Sequence, residues 1–211
     1  LGDGEKESAL KAFNKLRMLS TRRGSDAYGS FYYRSADENV SVYKGVGTRK
    51  IISRLKEFRN FNASFISESS NSRQYLLVGH TRLATNGSVY DEVNNQPAVL
   101  EDWVVVHNGI IVNDKALKER NSDFVNPNIN LDTYALLGIL VKYAQEHKKS
   151  SDVELLNIIN REIEGANNFI IWSKKLKRLF FFSSNGSLYL AQKGKEIFFA
   201  SESHFLSALL K

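Results

Sequence analysis

Most residues with chemical potential in this chain lie where polar side chains interrupt apolar runs. Gly79-His80-Thr81-Arg82-Leu83-Ala84-Thr85-Asn86-Gly87 follows the apolar segment Tyr75–Val78. An arginine offers a planar fork that matches a carboxylate, and the N–H groups of a Gly-flanked turn can complete an anion cradle. A loop with a surface arginine is the plainer account. Asn94-Asn95-Gln96-Pro97 is a second interruption. In the third, Val106-His107-Asn108-Gly109-Ile110-Ile111, an Asn-Gly pair sits inside an apolar run. A hairpin turn would explain the pair, although apolar residues resume at once. The chemical alternative is an oxyanion site, with the Asn108 amide and the Gly109 N–H aimed at one spot and glycine allowing close approach. The fourth is Leu131-Asp132-Thr133. Asp132 reads either as a helix N-cap or as a carboxylate that holds a substrate ammonium group.

The elements that would position these residues follow from periodicity. Leu10, Phe13, Leu16 and Leu19 recur at helical spacing and predict an amphipathic helix over about 5–19. Strands are expected around Phe31–Tyr33 and Val40–Tyr43, then a short helix over Ile51–Phe58. Tyr75–Val78 and Trp103–Val106 fit buried strands. Leu131–Tyr143 is apolar on nearly every side, as a helix between layers would be. Ser151 followed by Glu154 resembles a capping box opening another helix through Ile163. In the last third, Phe169–Trp172, Leu179–Phe182, Leu188–Ala191 and Ile197–Ala200 read as a β meander broken by Asn185-Gly186 and Lys193-Gly194-Lys195. The whole predicts one α+β domain over 1–211, with two sheets face to face and helices outside.

Bulk composition narrows the class. The chain has 211 residues, 42% hydrophobic and 25% charged, which suits a soluble globular protein rather than a disordered one. No apolar run is long enough to span a bilayer and no basic-then-apolar leader is visible, so the expectation is a cytoplasmic protein without a membrane partner. Net charge is +6, but the Lys and Arg residues are scattered. Nucleic-acid binders concentrate such charge into a stripe interleaved with aromatics, so nucleic acid is the less favoured partner. Cysteine is absent, which excludes disulfides, thiolate zinc sites and a cysteine nucleophile within these residues. His80, His107 and Asp132 lack the spacing of a metal site. Neither a metal nor a cofactor is expected.

Taken together and in order, the motifs resemble the class II glutamine amidotransferases, a family of amino-terminal-nucleophile hydrolases. The resemblance rests on Arg23-Gly24-Ser25-Asp26-Ala27-Tyr28-Gly29, on His80 to Gly87, Asn94 to Pro97, His107 to Asn113, Asp132-Thr133 and Ala200-Ser201-Glu202, spread through almost the whole chain. It implies a four-layer αββα sandwich of the N-terminal nucleophile hydrolase type. It also implies that Arg82 pairs with the α-carboxylate of L-glutamine, that Asp132 binds its α-ammonium, and that Thr85 and Asn86 help hold the amino acid. Asn108 and Gly109 would form the oxyanion hole. Leu83 stands where the family commonly has an aromatic, and Asn86 where it commonly has histidine. L-glutamine or L-glutamate is the implied ligand. An acceptor or synthetase domain or subunit that uses the released ammonia is the implied partner.

In the family the nucleophile is a cysteine that is also the mature first residue, whose own amino group serves as base. Here the chain begins Leu1-Gly2-Asp3-Gly4, almost at the first helix. The first strand is therefore read as missing together with its cysteine, from a natural start upstream. A homologue that has lost catalysis and keeps the pocket for amino-acid binding is the alternative, and a basic structural or nucleic-acid-associated protein is a third reading.

Overall fold

The computed structural model describes residues 3–36, 38–47, 55–67, 74–83, 87–146 and 151–211. Contacts divide the chain into two units, one of residues 1–97 with 188–211 and the other of residues 98–187.

In the first unit, β1 (Ala27–Arg34) is buried along its whole length. It is the middle of a three-stranded antiparallel sheet, between β2 (Val40–Val46) and β3 (Tyr75–Arg82). Aromatic side chains make the core here: Phe13, Tyr28, Tyr32 and Tyr43 pack with Phe58, Phe61 and Phe65. The last three come from helix α2 (Lys56–Ser67). Of the short helix expected at Ile51–Phe58, residues 51–54 fall outside the described ones, and Lys56–Phe58 open α2.

Helix α1 (Asp3–Ser20) buries a different stripe from the one its leucines predict. Lys6, Ala9, Phe13 and Arg17 are buried, while Leu10, Leu16 and Leu19 are half-buried. The Arg17 guanidinium carbon lies 4.6 Å from the Phe58 ring centroid and 5.2 Å from that of Tyr28. Aromatic faces attract a guanidinium, so a charged residue can occupy this core-facing position.

The second unit holds the antiparallel sheet β4-β5-β6-β7: β4 (Ala98–Leu100), β5 (Trp103–Gly109), β6 (Asn167–Ser173) and β7 (Arg178–Ser183). Every residue of β6 is buried, and so are Trp103 to His107 of β5. Helix α3 (Asp114–Arg120) precedes α4 (Thr133–Glu146), which is apolar and buried on almost every side, as its sequence indicates. Helix α5 (Asp152–Glu162) is capped by Ser151, whose Oγ accepts the Glu154 N–H at 3.2 Å.

The final strands do not form one meander. β6 and β7 extend the sheet of β5, whereas β8 (Tyr189–Lys193) and β9 (Glu196–Ala200) make a separate two-stranded sheet in the first unit, followed by helix α6 (Ser203–Leu210). Burial separates the two pairs, since β6 is closed over completely while β8 is largely exposed. The fold class is α+β, and its sheets have three, four and two strands among the described residues.

Candidate functional site

Arg82 is the last residue of β3, so the strand runs four residues beyond the apolar segment Tyr75–Val78. It is 7% exposed. Its Nη1 donates to Asn95 Oδ1 at 2.8 Å and its Nη2 to the Gly87 carbonyl at 3.1 Å. Together these two acceptors fix the plane of the guanidinium. Asn95 is itself anchored, with its Nδ2 donating to the Val89 carbonyl at 2.6 Å.

The two glycines of the 23–29 motif have a backbone explanation in the same unit. A Cβ on Gly24 would stand 2.5 Å from the Arg82 carbonyl carbon. A Cβ on Gly29 would stand 1.6 Å from the Gln96 carbonyl oxygen. Between them, the Asp26 N–H donates to the Arg82 carbonyl at 3.0 Å. The motif therefore holds Arg82 and the Asn94–Pro97 segment at backbone contact, where no other residue type fits. Arg23 also forms an ion pair with Glu202, joining the first motif to the late Ala200-Ser201-Glu202.

In the second unit, Asn108 and Gly109 end β5 opposite Asn168 and Asn167 of β6. Gly109 has φ +153°, and a Cβ there would meet the Ala166 carbonyl oxygen at 2.1 Å and His107 Nε2 at 2.8 Å. The Asn108 carbonyl accepts from Asn168 Nδ2 at 3.0 Å, and Ser183 Oγ secures Asn168 at 2.6 Å. The Asn108 side-chain amide is half-buried and has no partner among the described residues. Just beyond, Asn113 receives the Glu164 N–H at 3.1 Å and donates to the Glu162 carbonyl at 2.9 Å. That pair of bonds explains the last residue of the His107–Asn113 motif as a clamp on the approach to β6.

Asp132 stands at the threshold of α4. Its Oδ2 accepts the Ile111 N–H at 3.0 Å, tying it to the segment that leaves Gly109. Its Oδ1 lies 3.5 Å from His107 Nδ1, and its side chain is 19% exposed. Burial alone would raise the Asp132 pKa. The His107 contact, with the Ile111 and Thr133 N–H groups, outweighs burial and holds the carboxyl below the ordinary carboxylate value.

A depressed folded-state pKa means that the unfolded chain binds more protons between the two pKa values. Stability from Asp132 is then complete above the ordinary carboxylate range near ~3.9 and disappears as pH falls through the lower folded value. Urea unfolding of wild type and Asp132→Asn should therefore differ by a constant amount at neutral pH, with the gap closing below about pH 4. A gap that does not change with acid would contradict the depressed pKa.

The expected residues thus fall into two groups, Arg82 in one unit and Asn108, Gly109 and Asp132 in the other. Thr85 and Asn86 lie outside the described residues. Sequence reasoning missed the roles of Asn95, Asn167, Asn168 and Thr133. The one sequence signal for Asn95 was its place in the Asn94–Pro97 motif. Asn167 and Asn168 carried a weaker signal, an uncharged polar pair at the head of an apolar strand.

Residues 80–208 match the model of a family described as a glutamine amidotransferase domain. Over 209 residues the chain is 29% identical to the glutamine–fructose-6-phosphate aminotransferase (isomerizing) of Helicobacter pylori strain J99, covering 95% of this chain and 31% of that enzyme. The enzyme of the same name from Chlamydia abortus is 39% identical over 98 residues, 44% of this chain and 15% of its own length. The chain accordingly spans about a third of the curated relatives it matches. Among solved structures, the glutamine phosphoribosylpyrophosphate amidotransferase from B. subtilis with ADP and GMP gives a TM-score of 0.66 at 18% identity, covering 95% of this chain and 41% of that one. A structure described as the allosteric regulatory enzyme of purine biosynthesis gives 0.64 at 18% identity, over the same shares of the two chains. At that identity the likeness shows the fold, the amino-terminal-nucleophile hydrolase type that the motifs imply. With the family model matched from His80 to the last helix, over more than half of its length, the chain belongs to the glutamine amidotransferase domain family, in class II.

Proposed function

We propose that the 211 residues act as one glutaminase-type domain that binds L-glutamine by both ends of its amino-acid group and releases the side-chain nitrogen as ammonia. Arg82 takes the α-carboxylate, a role suited to a planar guanidinium whose orientation Asn95 and the Gly87 carbonyl fix. Asp132 takes the α-ammonium, a role suited to a carboxylate kept ionised and held by the Ile111 N–H. Thr85 and Asn86 assist with the amino acid.

The reaction requires a thiolate, and these residues contain no cysteine, so the thiol comes from outside them. Its sulfur attacks the carboxamide carbon, and the oxyanion that forms receives hydrogen bonds from the Asn108 amide and the Gly109 N–H. On collapse the carbon–nitrogen bond breaks, the nitrogen takes up the proton that the thiol gave up and leaves as ammonia, and water then cleaves the remaining thioester to glutamate and the free thiol. An acceptor domain or subunit uses the ammonia. The same reading puts the domain in the cytoplasm with that partner, which fractionation and co-purification would check.

The single observation that carries the reading is the Asn108 amide, which has no partner among the described residues beside Gly109, while the neighbouring Asn167 and Asn168 are engaged. Binding can be tested without the thiol. Calorimetry with L-glutamate should show Arg82→Ala and Asp132→Ala each weakened about thirtyfold or more, since a lost charge partner in a desolvated site costs at least ~2 kcal/mol. Wild type should also discriminate against analogues lacking the α-amino or α-carboxyl group. Equal affinity in all three proteins would rule the assigned roles out.

A further inference from the structure

We infer that Asn167 is a positioning residue for Asp132: it locks His107 in the tautomer with the proton on Nε2 and so turns Nδ1 toward the Asp132 carboxylate. The inference rests on the reading of Asp132 as the ammonium-binding group.

Asn167 is 1% exposed and His107 is 2% exposed, so water does not mediate between them. Asn167 Nδ2 donates to the Glu164 carbonyl at 3.3 Å. Reversing the amide would set its oxygen against that carbonyl, so the bond decides which end of the amide faces the ring. Oδ1 faces His107 Nε2 at 2.9 Å, and an amide oxygen only accepts. Nε2 must therefore carry the proton, because the partner of one ring nitrogen sets the state of the other. The Asn167 backbone is fixed as well. Its N–H donates to Ser184 Oγ at 2.9 Å, and its carbonyl accepts the Ser184 N–H at 2.9 Å.

With Nε2 committed to Asn167, the ring presents Nδ1 to the residues at the head of α4. Nδ1 lies 3.4 Å from Thr133 Oγ1 and 3.5 Å from Asp132 Oδ1. The ring itself rests on Phe169, centroid to centroid 4.6 Å. Asp132 Oδ1 is thus held between the His107 ring and Thr133 Oγ1, which donates to it at 3.5 Å, while Oδ2 holds Ile111. Without Asn167 the Nε2 end of the ring loses its acceptor, and the Asp132 carboxylate loses a neighbour of fixed orientation. Gly109 completes the arrangement, because a Cβ there would press on Nε2 from 2.8 Å.

The test uses the 211-residue chain. Nitrogen-15 spectra of its histidine rings, at a pH where the His107 shifts no longer change, report which ring nitrogen is protonated. Contacts to Phe169 assign His107. The expected result is an Nε2–H pattern in wild type and in Asn167→Asp, and a shift toward Nδ1–H in Asn167→Ala. Asn167→Ala should also bind glutamate about tenfold more weakly while its affinity for glutarate, which lacks the α-amino group, stays at the wild-type value. An Nδ1–H pattern in wild type would overturn the lock, and needs no variant to fold. Unchanged tautomer and unchanged glutamate affinity in Asn167→Ala would overturn it too. If Asp132→Ala binds glutamate like wild type, the ammonium-binding role fails instead, and the spectra still decide the tautomer separately.

Discussion

Gly109→Ala is expected to lose about 2–6 kcal/mol of unfolding free energy, much of the stability of an ordinary domain. Two costs add. At φ +153° a side chain occupies a backbone region that only glycine visits readily, a strain of about 1–3 kcal/mol. The new methyl would also stand 2.1 Å from the Ala166 carbonyl oxygen and 2.9 Å from the Asn167 Cα, so β5 and β6 would have to part, at about 1–3 kcal/mol more. Gly186→Ala is the matched control. Its φ is +75°, but nothing lies within 4 Å of the added carbon, so only the conformational cost of about 1–2 kcal/mol applies. Urea unfolding of both variants measures the difference. Equal losses would mean that the close approach of Gly109 to β6 is wrong.

How much of this was legible beforehand follows from the kind of signal each residue gives. Arg82, Asp132 and the Asn108–Gly109 pair were visible because charge or a turn-forming pair breaks an apolar run, which a core strand or buried helix does not tolerate idly. Asn95 and Asn167 were not assigned roles, because what matters is a partner remote in sequence. Asn95 meets Arg82 across 13 positions and Asn167 meets His107 across 60. A neutral amide gives no hint of which distant group it will satisfy.

The same distinction runs through the fold. Periodicity identified the strands of the last third, but it describes an element and not its neighbour, so the division of β6-β7 from β8-β9 could not be read from it. In α1 the leucine spacing pointed to the wrong stripe, because Lys6 and Arg17 rank among residues that belong outside. Arg17 is inside because aromatic rings meet it there. Asn108, by contrast, was conspicuous in sequence and is conspicuous in structure for the same reason: among the described residues its side-chain amide has no partner.

That freedom sets the expected consequence of removing it. In a form of the protein that carries the thiol, Asn108→Ala should lower kcat by about 10²–10³ with KM nearly unchanged, the loss typical of one oxyanion donor. The substitution leaves the backbone in place, so Asn168 keeps its bond to the Asn108 carbonyl and the Gly109 N–H remains as second donor. Residual turnover should therefore persist, and thermal unfolding should shift little, which separates a lost donor from a damaged strand. Asn108→Asp sharpens the test, because a carboxylate of the same shape would face developing negative charge instead of donating to it. It should fall below Asn108→Ala in kcat although it is the closer mimic in size. Full kcat in Asn108→Ala would remove Asn108 from the oxyanion hole. Equal activity of the alanine and aspartate variants would show that charge at this position is not felt by the reacting oxygen.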